Sequence, residues 1–256
     1  MMSIPVSAVV ITLNEQRNIK KCLESLEFCA ERLVVDSGSS DETVNIAKQM
    51  GAKVIHQEWL GFGKQKQFSV TRAAHDWVLC LDADEWLSDE LTDSIRELFE
   101  SPPSARIYQF ARRDYFLGRW LKHGGYPELS PRLFNRNHAR WSDDMVHETV
   151  ITDESAMTCA GDLMHYTSDS LAHSISKRTQ YGNMQVIDMF ERGIRPRLGK
   201  LVFSPIVRFL KLYVLRQGFR DGIPGLVLAS ISSFFCFYKY AMLFELDYKS
   251  RKKSSL

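Results

Sequence analysis

Two carboxylates stand one residue apart in the stretch CLDADEW, residues 80–86, where an apolar run ends. A turn after Asp82 would bring its side chain and that of Asp84 near one point, with Glu85 directly behind them. Paired carboxylates of this kind bind a hard divalent cation, Mg²⁺ or Mn²⁺, together with water and phosphate oxygens. The alternative is a solvated turn between a strand and a helix, in which an aspartate caps the helix.

Four short apolar segments in the first hundred residues predict strands that are buried on both faces of a parallel sheet. They are residues 6–12, 32–36, 52–57 and 76–82. Helix patterns lie between and after them: a Ser-x-x-Glu capping box at Ser39 and Glu42, and a second helix that starts at Ser88. Strands that alternate with helices predict an α/β fold, a Rossmann-like, doubly wound and mostly parallel sheet.

Three polar clusters follow these strands: TLNE (12–15), DSGSSD (36–41) and DADE (82–85). In open α/β sheets, ligands bind outside the carboxyl ends of the strands. We therefore expect the three clusters to form one binding site. Residues 106–116 look like another strand, residues 118–134 like a loop, and residues 170–198 like a helix.

The composition, with 45% hydrophobic and 25% charged residues among 256, excludes a disordered or fibrous chain. Five scattered cysteines without a Cys-x-x-Cys pair indicate free thiols in a reducing compartment. The N-terminus lacks the basic segment of a signal peptide, so a cytosolic catalytic body is expected.

The C-terminal end is both basic and apolar. From Lys200 onward, about ten Lys and Arg residues stand against three Asp and Glu. The charge-free run from Ile223 to Tyr238 has 16 residues, fewer than the ~20 needed to span a bilayer. We expect amphipathic helices lying in the inner leaflet, with anionic headgroups near Arg208, Lys211, Arg216, Arg220 and the terminal KSRKK. The alternatives are a helical subdomain packed on the sheet and a contact in a homo-oligomer; nucleic acid is not expected as a partner.

Together, VVITLNEQRNI, LVVDSGSSDET and VLCLDADEW resemble, in order and spacing, the nucleotide-sugar domain of inverting family 2 glycosyltransferases, which have the GT-A fold. The resemblance implies a UDP-sugar donor whose uridine is held by Thr12, Asn14 and Glu15. It implies that Asp36 reads the uracil N3–H, while Ser37, Gly38 and Ser39 let the backbone approach the base.

The same resemblance implies that Asp84 binds Mn²⁺ or Mg²⁺ directly, and that Asp82 contacts the ribose or the water shell of the metal. Lys66 and Gln67 are candidates for the diphosphate or the donor sugar. A cation that bridges the diphosphate lets this group leave without being protonated. Some relatives have a Gln two residues after the second aspartate, where this chain has Trp86, so the full ligand set stays open.

Inverting transfer needs a carboxylate that takes the proton of the acceptor hydroxyl. By resemblance to family 2 enzymes, this base lies in WSDDMVHETV, which contains Asp143, Asp144 and Glu148. Asp144 is favoured, with Glu148 next, and His147 is a candidate metal or diphosphate contact.

The segments GRWLKHGGYPELSPRLFNR, GDLMHYT and GFRDGIPGL are similar to the subgroup of lipopolysaccharide inner-core β-1,4-glucosyltransferases. This similarity implies that Arg132 and His123 contact the diphosphate or an acidic core saccharide, and that Trp120 stacks on a sugar or lies in the core.

We therefore expect a metal-dependent inverting hexosyltransferase at the cytoplasmic face of the inner membrane, with residues 1–165 catalytic and residues 166–256 binding membrane or acceptor. Its expected reaction moves glucose from UDP-glucose onto a glycolipid such as lipopolysaccharide core heptose. Polyprenyl phosphate or a protein side chain is the alternative acceptor. A non-enzymatic sugar-nucleotide binder is the third hypothesis, and the intact acidic residues argue against it.

Overall fold

The computed structural model describes residues 3–144, 148–166 and 170–254. The chain divides into two compact units. The first consists of Met1–Arg113 and Pro127–Tyr166, and the second of Asp114–Tyr126 and Thr167–Leu256. The division predicted at residues 165/166 stays a prediction; the compact units add the segment Asp114–Tyr126 to the C-terminal part.

The first unit is built on a sheet of eight strands in the order β3-β2-β1-β4-β8-β6-β11-β5. A ninth strand, β7, pairs with Tyr115 and Phe116 at the end of β6, in the segment that belongs to the second unit. Strands β1 to β4 are parallel, whereas β8 runs antiparallel to β4 and β6, and β5 antiparallel to β11. The strands are β1 Ile4–Thr12, β2 Cys29–Asp36, β3 Lys53–His56, β4 Trp77–Asp82, β5 Glu85–Leu87, β6 Ile107–Phe116, β7 Arg119–Trp120, β8 Glu128–Asn135, β9 Arg140–Trp141, β10 Val150–Ile151 and β11 Met157–Tyr166.

Alternate residues of the central strands enter two separate cores, as expected for a sheet covered on both faces. Val10 of β1 lies in one core and Val9 in the other, and Leu81 and Cys80 of β4 divide in the same way. The helices of this unit are α1 Ile19–Glu24, α2 Thr43–Gln49, α3 Phe62–Thr71 and α4 Asp89–Leu98. The predicted α/β fold with a mostly parallel, doubly wound N-terminal half is confirmed.

Two local predictions about helix starts had different outcomes. Ser88 caps α4, since its hydroxyl accepts a hydrogen bond from the amide of Leu91. The capping box at Ser39 and Glu42 is wrong, because α2 starts after Glu42 without a side-chain cap. The Ser39 hydroxyl instead donates to Asp36 and accepts from the Asn14 amide.

The loop predicted over residues 118–134 is also wrong in part, since β7 and most of β8 lie within it. Pro131 weakened the strand pattern of β8, because proline cannot donate to a sheet ladder. In the structure Pro131 pairs with Gln109, directly after a register shift between Tyr108 and Gln109. The bulge places the proline where the ladder is already irregular.

The second unit is mainly helical. It contains α5 Leu171–Glu191, α6 Leu198–Leu210, a π-helical turn Lys211–Leu215, a 3₁₀ turn Gly218–Asp221 and α7 Gly222–Ser254. The predicted amphipathic helix is represented by α6, whereas α7 is one helix of 33 residues. Among the described residues, one helical stretch, Gly218–Lys252, is long and apolar enough to cross a membrane, and 17% of its most apolar segment is buried.

Candidate active site

The loops after β1 and β2 are tied together by hydrogen bonds. The Asn14 amide donates to the Ser39 hydroxyl and the Asn14 side-chain oxygen accepts from the Ser40 amide, both at 2.8 Å. The Glu15 amide donates to the hydroxyl of Thr43 at 2.8 Å. Because each loop holds the other, the predicted uridine residues lie on one preformed surface.

Asp36 ends β2 and organises the turn behind it. Its Oδ2 atom accepts hydrogen bonds of 2.9 Å from the amides of Gly38 and Ser39. Gly38 has a φ of +98°, in the region that favours glycine. The buried hydroxyl of Thr12, at the end of the adjacent β1, has no hydrogen-bond partner among the described residues, so a polar group is available for a ligand there.

A turn separates β4 from β5 and carries Asp84, as predicted for the Asp-x-Asp stretch. The Asp84 carbonyl accepts from the Tyr166 amide at 2.9 Å. The Asp84 carboxylate lies 3.5 Å from Nε2 of His165, on β11. The sheet therefore adds a histidine to the acidic turn.

Lys66 is buried in α3 and joins two distant carboxylates. Its ammonium group lies 3.1 Å from Asp82 and 2.7 Å from Glu148. The Lys66 ammonium also lies 5.0 Å from the centre of the Trp141 ring. A lysine with 2% exposure needs such partners, because an unpaired buried charge is strongly unfavourable.

Arg132 of β8 forms the second buried cation of the site. It donates to Glu85 at 2.7 Å and lies 3.7 Å from Asp82. Glu85 is fully buried and also accepts from the Asp82 amide at 3.1 Å. The Nε atom of Arg132 has no hydrogen-bond partner among the described residues.

The electrostatics reflect these pairs. Burial alone would raise the pKa of Asp82, but Lys66 and Arg132 together hold that pKa below its ordinary value. Burial alone would lower the pKa of the Arg132 guanidinium group. The carboxylates of Glu85 and Asp82 outweigh the effect of burial and raise that pKa.

The pKa of the neighbouring Cys22 thiol shows that the site is surrounded by negative charge. Burial first, and then the negative charges of Glu85, Asp84 and Asp82, raise the pKa of Cys22 well above its ordinary value. Lys66 and Arg132 face three carboxylates in this region, those of Asp82, Glu85 and Glu148, and the carboxylate of Asp84 lies beside His165. A divalent cation would balance that excess of negative charge.

These observations fit a divalent metal ion. The Oδ1 atom of Asp82 is buried and accepts no hydrogen bond among the described residues, although it lies 3.1 Å from the Lys66 ammonium nitrogen. Asp84 follows in the turn, with His165 of β11 3.5 Å away. No group of three metal-ligating side chains occurs within the described residues. Mg²⁺ and Mn²⁺ sites of this type commonly use one or two carboxylates and complete their shell with water and phosphate.

The structure describes only part of the predicted base cluster, namely residues 143–144 and Glu148. Asp143 is exposed and Asp144 half-buried, while the carbonyl of Asp144 accepts from the Gly63 amide at 3.2 Å. A Cβ atom on Gly63 would lie 2.1 Å from the carbonyl oxygen of Ser142. The acidic loop therefore packs directly against α3, and His147 lies outside the described residues.

Several predicted contacts have other partners in the structure. The Gln67 side chain accepts from the Trp141 amide at 2.8 Å, so Gln67 positions β9 and is a poor candidate for the diphosphate. Trp86 is buried, with the Lys21 ammonium 3.9 Å from its ring centre. His123 and Trp120 belong to the second unit, where Nδ1 of His123 lies 3.2 Å from Asp221.

Sequence reasoning placed Glu85 in the DADE cluster without giving it a role, and it missed His165, Gln65 and Trp141 as parts of the site. The buried Gln65 side chain donates to the Ser37 hydroxyl at 3.0 Å, which fixes the turn after β2. Glu85 was visible in the sequence behind the aspartates, and His165 stands in the quoted GDLMHYT segment. Their partners, Arg132 for Glu85 and Asp84 for His165, are distant in sequence, so no local pattern could indicate these pairs.

Residues 7–158 match the family model described as "Glycosyl transferase family 2". The matched range includes the ends of β1, β2 and β4, Lys66, Arg132 and the acidic loop. The chain belongs to glycosyl transferase family 2. The parallel nucleotide half and the mixed remainder of its sheet are the GT-A fold predicted for this family.

Full-length relatives agree with this assignment. The chain is 31% identical to "Lipopolysaccharide core biosynthesis glycosyltransferase LpsC" of Rhizobium meliloti, over 94% of this chain and 93% of the relative. It is 32% identical to "Uncharacterized glycosyltransferase RT0209" of Rickettsia typhi, over 96% of this chain and 89% of the relative.

Solved structures with detectable similarity include glucosyl-3-phosphoglycerate synthase from Mycobacterium tuberculosis in complex with Mn²⁺, UDP and glucosyl-3-phosphoglycerate. The match has 23% identity, covers 45% of each chain and has a TM-score of 0.35. A second structure of that enzyme, with Mg²⁺ and UDP, has a TM-score of 0.36 and 21% identity, and covers 45% of this chain and 44% of that chain.

For a family 2 glycosyltransferase, the described arrangement has a direct chemical use. In transfer from a nucleotide-sugar donor, the bond between the sugar and the nucleoside diphosphate breaks, and the charge that develops on the diphosphate needs preorganised positive partners. Lys66 and Arg132 are held at one point by carboxylates, and the orphaned Nε of Arg132 retains a hydrogen bond to donate. Because carboxylates outnumber these two cations, stabilisation of an anionic leaving group here would also need the divalent cation.

Proposed function

We propose that this glycosyltransferase moves a hexose, glucose from UDP-glucose, with inversion onto a membrane glycolipid such as lipopolysaccharide core heptose. The relative whose name includes lipopolysaccharide core biosynthesis aligns over nearly the whole of both chains, which supports this acceptor class. The observation that carries the proposal is the placement of three buried charges, Lys66, Arg132 and Glu85, around the half-buried Asp82 at the carboxyl end of β4.

Asp84 and Asp82 are the proposed holders of Mn²⁺ or Mg²⁺, with His165 adjacent and His147 as a further candidate. The cation would neutralise charge on the diphosphate, so that the leaving group needs no proton. The chain's own cations act alongside it. Lys66 is fixed between Asp82 and Glu148, and it enters the reaction without having to reorganise.

The uridine end of the donor is proposed to bind the loops after β1 and β2. Thr12, with its unpartnered hydroxyl, and the rigid Asn14 and Glu15 loop would line the nucleoside. Asp36 already accepts two amide hydrogen bonds on one oxygen; a carboxylate has further lone pairs that could accept the uracil N3–H. Ser37 and Gly38 leave space for the base.

The general base is proposed to be Asp144, with Glu148 and then Asp143 as the remaining candidates. Glu148 is committed to an ion pair of 2.7 Å with Lys66, which makes a positioning role for Glu148 more natural. Asp144→Asn and Glu148→Gln should be compared under donor saturation. Loss of a general base lowers kcat by about 10²–10⁴-fold, and a turnover equal to that of the unsubstituted enzyme excludes the residue tested.

We propose that the enzyme acts at the cytoplasmic face of the inner membrane. All five cysteines are free thiols, which agrees with a reducing compartment. The basic, apolar C-terminal unit supplies the surface for a membrane-embedded acceptor.

The decisive experiment is a panel of nucleotide-sugar donors, each supplied with Mn²⁺, Mg²⁺ or a chelator, and membrane extract as acceptor. We expect transfer from UDP-glucose that stops when the metal is removed. Mass analysis of the labelled product then separates a glycolipid from polyprenyl phosphate or a protein side chain. Undiminished transfer in the chelator overturns the metal role, and label on protein or polyprenyl phosphate overturns the acceptor.

A further inference from the structure

The helix α6 has its apolar side in solvent. Exposure is 65% for Phe203 and 60% for Val207, and three neighbours at helical spacing are also exposed: Val202, Ile206 and Leu210. These five residues form the apolar face of α6. Elsewhere α6 contacts α7, where the Pro205 carbonyl accepts from the Ser233 hydroxyl at 2.7 Å. Exposed apolar stripes of this kind mark interaction sites.

The segment around α6 is basic, and only its first cations have acidic partners among the described residues: Arg192 pairs with Asp188, and Arg195 lies 3.7 Å from Asp247. Residues 192–220 contain eight Lys and Arg and no Asp or Glu. Within the part of the chain that the structure describes, Arg208, Lys211 and Arg216 form no ion pair. A partner for the apolar face must therefore be apolar at its centre and anionic at its rim, as a leaflet of anionic lipid is.

A second copy of the chain is a poorer fit. In a two-fold dimer the same patch contacts itself, so the basic segment of one copy would face the same basic segment of the other. Juxtaposed charges of one sign disfavour such an interface. A lipid headgroup surface has the opposite charge and removes this conflict.

The helix α7 has contacts that oppose a transmembrane position. The Tyr238 hydroxyl donates to the Asn183 side chain of α5 at 2.9 Å. Farther along, Asp247 pairs with Arg251 at 2.8 Å and lies 3.7 Å from Arg195. A membrane-spanning α7 would carry these polar contacts into or across the hydrocarbon, where ionisable side chains are unfavourable.

We propose that the apolar face of α6 lies in the plane of an anionic lipid leaflet, with Arg208, Lys211 and Arg216 at headgroup level, and that α7 does not cross the bilayer. This proposal rests on the proposed function in one respect: a lipid-linked acceptor is the reason for the enzyme to bind a membrane. In-plane helices of this type bury their apolar side about 5–10 Å deep.

The test measures binding of the full-length protein to vesicles of phosphatidylcholine alone and of phosphatidylcholine mixed with phosphatidylglycerol, by flotation. We expect binding to the anionic vesicles that weakens with salt. Phe203→Asp should lower the partition coefficient about 10-fold or more. The matched control is Ile187→Asp, at an exposed apolar position of α5, which should bind as the unsubstituted protein does. An equal loss in both variants overturns the assignment to α6.

The charge component is tested by Arg208→Gln combined with Lys211→Gln. Each cation near an anionic surface contributes about 5-fold in binding, so the pair should lower partition about 25-fold on anionic vesicles and little on neutral ones. Concentration-dependent dimerisation that Phe203→Asp abolishes, without any vesicle binding, would assign the face to a second copy and overturn the proposal.

Protease protection distinguishes the two orientations of α7. In the in-plane arrangement, trypsin added outside the vesicles removes a C-terminal tag and also reaches the first unit. Protection of the tag while the first unit is digested would show that α7 crosses, which contradicts the proposal.

Transfer activity in detergent micelles separates this proposal from the proposed function. Phe203→Asp should transfer sugar normally in micelles and poorly on vesicles. A protein that transfers sugar but binds no vesicle overturns the membrane face alone. One that binds vesicles and transfers no sugar from any donor overturns the proposed function alone.

Discussion

The two compact units differ in what they bury: the first buries charged side chains, and the second leaves large apolar side chains exposed. The first unit buries Lys66, Arg132 and Glu85 and gives each a partner of opposite sign. The second unit exposes Phe203 and Val207 to solvent, beside cations without ion-pair partners among the described residues. Buried, paired charges suit a preorganised reaction site, and exposed apolar side chains suit contact with another apolar phase.

The largest expected effect tests whether the buried charges serve chemistry. Asp84→Ala should lower donor-saturated transfer by about 10³-fold or more, because it removes a carboxylate proposed to hold the cation. Titration calorimetry should show weaker binding of Mn²⁺ to the same variant. Asp93→Ala, at an exposed position of α4, is the control and should match the unsubstituted enzyme. Full activity of Asp84→Ala would remove Asp84 from the metal site.

The next effect concerns stability in the first unit. Glu85→Ala should lower the free energy of unfolding by about 3–5 kcal/mol, since it leaves Arg132 buried without its closest counter-ion. Chemical denaturation measures the change, with Glu90→Ala at an exposed position of α4 as the control. A loss below about 1 kcal/mol, the range of exposed ion pairs, would show that Arg132 does not depend on Glu85.

A backbone contact at the acidic loop gives a smaller effect. Gly63→Ala should cost about 1–3 kcal/mol or more, because the new Cβ would lie 2.1 Å from the Ser142 carbonyl oxygen. Gly182→Ala in α5 is the matched control, since nothing lies within 4 Å of the new Cβ there. That helical substitution should stabilise the protein by about 0.5–1 kcal/mol. A neutral Gly63→Ala would contradict the close packing of the loop on α3.

The pH dependence of stability tests the pairing of Asp82. Its folded-state pKa is held below the ordinary value of about 3.9 by Lys66 and Arg132, which outweigh burial. The ionised group therefore contributes its full stability above about pH 4, and the contribution is lost as the pH falls through the folded-state pKa. The difference in unfolding free energy between the unsubstituted protein and Asp82→Asn should shrink in acid. A constant difference would refute the pairing.

The smallest expected effect tests the second unit. Phe203→Ala should change the unfolding free energy by no more than about 0.5 kcal/mol, because the ring is exposed. Phe134→Ala, at a fully buried position of the first unit, should cost about 3–5 kcal/mol. Similar losses at the two positions in aqueous buffer would show that the Phe203 ring is covered in solution.

Elements built from neighbouring residues could be predicted from the sequence. The apolar runs of β1 to β4 and the serine cap at Ser88 depend on contacts within a few positions, and the structure confirms them. The Ser39 cap failed for the opposite reason, since the Asn14 amide lies 25 positions away in sequence and binds the Ser39 hydroxyl. Local patterns do not reveal such competition from distant residues.

The sequence by itself determined the family, the polar strand ends and the Asp-x-Asp turn, because those features are contiguous and their chemistry is local. Only the tertiary structure joined Lys66 to Glu148, 82 positions apart, and Arg132 to Glu85, 47 positions apart. The tertiary structure also showed that the apolar face of α6 is exposed to solvent. A periodic pattern identifies a helical face, but only packing decides whether protein or another phase covers that face.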